Sequence, residues 1–143
     1  MARLDRTKRI DPVQADNYAE VGRRLLLAGR AILERGEPRH APALAILSVH
    51  AAIAHTDALC IHLGGRKSTS HDHDAAVRLL RSIMGSRLPA RMERTVGRLL
   101  SEKDRFEYQG YVATMRDAQA LFARAQSYGT WADGVLTSTG RTR

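Results

Sequence analysis

Apolar residues recur along this chain at steps of three and four, and each run stops at glycine or proline. Tyr18, Val21, Leu25, Ala28 and Ile32 form the first stripe, the repeat of a helix that buries one face. Asp11-Pro12 suits its start, an N-cap acid followed by proline at the first position. The spacing predicts a helix from about residue 12 to Arg35. Gly36 suits the left-handed cap that closes a helix, and Glu37-Pro38 continues the break.

The second run is different. Leu44, Leu47, Ala51, Ala54, Ala58 and Ile61 make one stripe between Pro42 and Leu63, and Ile46, Val49, Ile53 and Cys60 widen it. A helix apolar on several sides belongs in the middle of a bundle. Gly64-Gly65 ends it, and the loop GGRKSTS follows, basic and then hydroxylated. Thr69 with Asp72 three residues on fits a capping box. It predicts a third helix to about Met84, with Ala76, Leu79 or Leu80, and Ile83 inward. Gly85-Ser86 and Pro89 interrupt, and a fourth helix is expected over 90–108, with Val96, Leu99, Leu100 and Phe106 inward. After the break at Gln109-Gly110-Tyr111, Thr114 can cap a fifth helix in which Ala118, Leu121, Ala125 and Tyr128 repeat. No segment alternates at period two, so no strand is expected. The expected fold is all-α, an antiparallel bundle of four to five helices. Residues 1–11 read as a basic flexible arm, 12–131 as a single domain, and 132–143 as a flexible tail. A chain of 143 residues supports one core.

Charge changes the picture most. The net charge is +8, and of 23 basic residues only Lys8, Lys67 and Lys103 are lysines. Such a chain is drawn to polyanions, and arginine's planar fork suits bidentate phosphate contact. A codon-bias origin of the arginines is an equal reading of composition alone. Arg87, Arg91, Arg94 and Arg98 recur at steps of four, three and four, with Arg105 seven residues on. On one helix they share a face. Like charges so spaced weaken a helix, so the stripe suggests RNA, a nucleotide or an acidic partner. The plain alternative is a solvated face with Arg98–Glu102 as a compensating pair.

Other chemistry is thinner. His50 and His55 are five apart and His55 and His62 seven, neither the step of three or four that a helical zinc pair needs. His71-Asp72-His73-Asp74 diverges around a helix start, where aspartates suit the positive end. The single E-x-x-H string, Glu37 to His40, sits in a proline break. No metal or cofactor is expected. The sole cysteine, Cys60, excludes an internal disulfide and reads as an inert core thiol. No nucleophile elbow, Walker loop or dinucleotide fingerprint is present. The apolar runs fall short of a membrane span, and MARLDRTKRI has no hydrophobic region after it, so a cytoplasmic setting and no membrane partner are expected. Near the end of the stripe, Arg105 and Tyr108 share a face. An arginine can hold phosphate while a tyrosine stacks, and Glu107 is a base or a counter-charge.

The stretch SVHAAIAHTDALCIHLGGRKSTSHDHDAAVRLL, followed by LLSEKDRFEYQG and an amphipathic closing helix, resembles the HEPN family over about residues 42–128. The resemblance implies a small helical bundle that forms dimers, often paired with a nucleotidyltransferase in toxin–antitoxin operons. Many members are metal-independent ribonucleases with an arginine, four to six residues and a histidine late in the bundle. Arg105 stands in the arginine's place and no histidine follows it. Arg66 and His71 have the spacing, but before the third helix. The expected function is a HEPN-like module that binds RNA or a nucleotide without strong catalysis. Arg66, Lys67, Arg91, Arg94, Arg98, Arg105 and Tyr108 would carry the contacts. The alternatives are a ribonuclease toxin, with Arg105 on the scissile phosphate and His71 or Glu107 moving protons, and a protein–protein scaffold. Helix-turn-helix binding is weaker, because the link GSRLPA is long for that turn.

Overall fold

Five helices pack antiparallel in a bundle, with one small two-stranded pairing at its side, in the computed structural model, which describes residues 6–140. The side chains of His73, Glu107, Tyr108 and Thr139 lie outside the described residues. Asp11 caps a 3-10 turn at Pro12–Gln14, its carboxylate accepting from the Val13 N–H at 3.0 Å. The chain then enters α1 (Ala15–Arg35). Gly36 closes α1 at φ 66°, and its N–H donates to the Ile32 carbonyl. A 3-10 turn at Pro38–His40 leads into α2 (Ala41–Gly64), which Gly65 closes in the same way on Ile61. α3 (His73–Met84), α4 (Ala90–Tyr108) and α5 (Met115–Gly140) complete the bundle.

α2 touches all four other helices, as its all-round apolar pattern requires, and every residue from Ala54 to Ile61 is buried. The segment Pro38–Gly64 is long and apolar enough to cross a membrane by length and composition, contrary to the sequence expectation. However, 78% of its most apolar window is covered by the rest of the bundle. Two of its buried hydroxyls are satisfied within the helix. Ser48 and Thr56 hydroxyls donate to the carbonyls four residues back, each at 2.8 Å. The Thr56 proton is thereby committed, so the buried Tyr128 hydroxyl must donate to Thr56 Oγ1, at 2.7 Å. Tyr128→Phe should therefore cost about 1 kcal/mol, the usual net value of one such bond. A urea midpoint identical to wild type would contradict that assignment.

The structure corrects the sequence reading at four further places. Thr7–Arg9 (β1) pairs antiparallel with Arg66–Ser68 (β2), with Thr7 opposite Ser68, Lys8 opposite Lys67 and Arg9 opposite Arg66. Flanking bonds, Ile10 N–H to Gly65 O at 2.9 Å and Thr69 N–H to Arg6 O at 3.0 Å, extend the ladder. Residues 6–10 are therefore held on the bundle; the expectation for residues 1–5 lies outside the described residues. Strands of three residues, two of them basic, with a partner far along the chain, leave no periodic trace. Second, because β2 takes residues 66–68, α3 begins later than expected. Asp72, not Thr69, is its cap, accepting from the Asp74 N–H at 3.0 Å. Third, α5 continues past Trp131 to Gly140, with Ala132 buried and Val135 and Leu136 packed on the core. The expectation for residues 141–143 lies outside the described residues. Finally, Arg87 leaves the stripe. It sits in a 3-10 turn, Gly85–Arg87, and its guanidinium donates to the Ile83 and Met84 carbonyls.

Candidate nucleic-acid interface and a polar cleft

Met92, Val96, Leu99 and Leu100 bury one side of α4, which leaves Arg91, Arg94 and Arg98 in solvent on another. α5 runs beside this face and adds Arg124. The four arginines, with Thr95 and Gly97, line an open groove of about 600 Å³. Among the described residues none of the four has a carboxylate within ion-pair distance. The acid best placed to neutralise Arg94 is Glu93, and Arg81 on α3 takes both its oxygens, at 2.9 and 3.0 Å. That bidentate clamp holds the Glu93 carboxyl below its ordinary pKa. Gly97 floors the groove, and a Cβ added there would meet nothing within 4 Å.

Arg105 lies apart from this groove. Its guanidinium contacts Glu102 at 3.0 Å and stacks 4.3 Å from the centre of the Tyr111 ring. The Tyr111 hydroxyl in turn donates to Asp117. The arginine that leads the sequence reading thus pins the α4–α5 link to α4. Glu107 and Tyr108 bear side chains outside the described residues.

On the other side of α4 a cleft of about 350 Å³ opens. α2 presents His50, Ile53 and Asp57 at steps of three and four. Leu100 and Lys103 come from α4, Ala76 from α3, and Lys67 to Asp72 from the loop. Asp57 is buried, 8% exposed, with one oxygen 3.5 Å from the Lys67 ammonium. Burial pushes its carboxyl up to about 6, and Lys67 offsets this only in part. Lys67 also lies over the Tyr18 ring, 5.3 Å from its centre. Lys8 stands directly opposite Lys67 on the ladder, where like charges repel, so Asp57 steadies the pairing as well as Lys67. Cys60, one turn along α2, is buried and its thiol is pushed up to about 12. It stays protonated and unreactive. His71 lines the cleft, whereas Arg66 stands exposed opposite Arg9 and does not join it.

The α2 histidines diverge as their spacing implies. His50 faces the cleft, while His55 is fully buried where α1, α2 and α5 meet. Its Nδ1–H donates to the Ala51 carbonyl at 3.0 Å. Nε2 therefore carries the lone pair, without a hydrogen-bond partner, 3.7 Å from Asp133. Burial lowers the pKa of this imidazole, and Asp133 bonds Arg23 at 2.8 Å. Among the described residues no three His, Cys, Asp or Glu side chains gather to hold a metal ion.

Sequence reasoning missed Arg124, Asp57, His50 and Lys103. Asp57 carried a readable signal, being the only acid in α2, and an acid in an apolar helix needs a cation. Arg124 carried none, because only the packing of α5 on α4 brings it to the stripe. Comparison with profiles of known protein families, with curated proteins and with solved structures finds no match to this chain.

Proposed function

We propose that the chain is a HEPN-like helical module that binds RNA through the groove formed by Arg91, Arg94, Arg98 and Arg124. One observation carries the reading: four guanidiniums from two helices face a single groove, and no carboxylate neutralises them among the described residues. Like charges along α4 cost helix stability. A phosphate backbone crossing the groove would reverse that cost and release counterions. The sequence resemblance adds a homodimer and a nucleotidyltransferase-type partner to the proposal, and the single cysteine and charged opening segment add a cytoplasmic setting. The resemblance adds no strong catalysis, since the engagement of Arg105 by Glu102 and Tyr111 supports an anchoring role for that residue.

Binding of a single-stranded RNA, followed across salt concentration, tests the reading. Each neutralised phosphate contributes about −0.7 to the log–log slope for single strands. Replacing all four groove arginines with alanine should flatten the slope by up to about 3, and alanine's helix propensity keeps the fold intact. Equal slopes for wild type and variant overturn the proposal. RNA incubated without metal should stay whole. Cleavage that disappears in Arg105→Ala would instead favour the ribonuclease reading.

A further inference from the structure

The geometry points to a second nucleic-acid contact on the β1–β2 ribbon, where Arg9 and Arg66 clamp one backbone phosphate and Arg6 and Lys8 stand beside it. It takes its ligand class from the RNA reading above and stands on residues outside the groove. The ladder sets the arrangement. Cross-strand partners share one face of a ribbon, with Cβ atoms about 5 Å apart, and Arg9 is the partner of Arg66. Lys8 and Lys67 are paired on the other face, where Lys67 turns to Asp57 and the Tyr18 ring. Arg9 and Arg66 are thus left side by side in solvent.

Among the described residues, Arg6, Lys8, Arg9 and Arg66 have no carboxylate within ion-pair distance. Arginine-rich composition does not account for this, because the fold neutralises arginines elsewhere: Arg23, Arg24, Arg78 and Arg81 each meet an acid. The deficit is local, and it falls where like charges face each other across a ladder and weaken it. The pairing persists nonetheless, closed at its ends by Ile10 N–H to Gly65 O at 2.9 Å and Thr69 N–H to Arg6 O at 3.0 Å. A phosphodiester between the two guanidinium forks turns that repulsion into charge-assisted bonds. By linkage, the ligand then tightens the ladder. An acidic protein fits less well. Thr7 and Ser68, beside the clamp on the same face, supply no apolar anchor of the kind that protein interfaces need at their centre. A phosphate backbone needs none, and it is gripped without regard to base sequence.

The test uses the full chain and a dodecamer of uridine. In wild type the RNA should slow hydrogen exchange at the Ile10 and Thr69 amides. The double variant Arg9→Thr, Arg66→Thr removes the facing charges and adds two good strand formers. Its ladder should exchange no faster than wild type without RNA, so weaker binding is not a loss of fold. The log–log salt slope should nevertheless flatten by about 1.4, two contacts at about 0.7 each. Adding the same two changes to the variant lacking the four groove arginines should flatten the slope again by that amount. A wild-type slope in the ribbon variant, or amide exchange that RNA leaves unchanged, overturns the inference. Equally tight binding of an oligoglutamate of the same charge overturns it in favour of an acidic protein. A groove variant with an unaltered slope sinks the groove reading alone, and flattening on the ribbon then still supports this site.

Discussion

Gly22→Val is expected to destabilise the protein by about 3 kcal/mol, at the upper end of core overpacking, while Gly134→Ala should stabilise it by about 1 kcal/mol. Both glycines are interior to long helices, and propensity alone favours replacing either. Their surroundings decide the sign. A Cβ at Gly22 would stand 2.6 Å from the His55 ring. The ring cannot retreat, because Nδ1 is tied to Ala51 and a Cβ at Gly129, on α5, would already lie 2.9 Å from the same imidazole. Two glycines on two helices therefore admit the His55 ring between α1 and α5. At Gly134 an added Cβ meets nothing within 4 Å. Urea unfolding of both variants checks the contrast. A third measurement guards the mechanism: in the background of Gly22→Val, truncating His55 to alanine should recover part of the loss, a non-additive coupling. Strictly additive effects would sink the collision account.

That collision shows where sequence reading stops. The extent of α1 was legible but its buried face was not: Val21 and Ala28 of the expected stripe are exposed, and the helix buries Ala15, Ala19, Gly22 and Gly29 instead, a face of small residues that only the placement of His55 and Phe122 explains. Helix ends were legible where chemistry is local: Gly36 and Gly65 cap with positive φ, and Thr114 Oγ1 accepts from the Asp117 N–H at 3.1 Å. The central place of α2 was legible because no polar face was left to turn outward. Features built by distant partners were not. The ladder between Thr7–Arg9 and Arg66–Ser68 joins two basic segments that nothing in their sequence would pair. For the groove, periodicity named Arg91, Arg94 and Arg98 but also enrolled Arg87 and Arg105. A proline break and a tyrosine beyond the helix end withdraw those two.

The cleft joins stability to site chemistry through one side chain, and Asp57→Asn exposes the link. An aspartate with an ordinary value near 3.8 has its carboxyl raised to about 6 in the folded chain. The folded state therefore holds this proton more tightly than the unfolded one. Below about pH 4 both states are protonated and no cost arises. As pH climbs from about 4 to 6, the buried carboxyl ionises and wild type loses stability, the reverse of a salt-bridged surface acid. Above that window the cost is constant, and two pH units of difference correspond to about 3 kcal/mol at most. Asparagine is isosteric and cannot ionise. The variant should be more stable than wild type at pH 7.5 by up to that amount, less whatever pairing Lys67 gives up, and the advantage should vanish near pH 4. Denaturant midpoints for both proteins at the two pH values test this directly. Parallel pH profiles would mean that Asp57 titrates as a solvated acid. An advantage confined to the higher pH would mean that the fold carries a buried charge at a net cost, in the one place where it steadies an ammonium facing an open cleft.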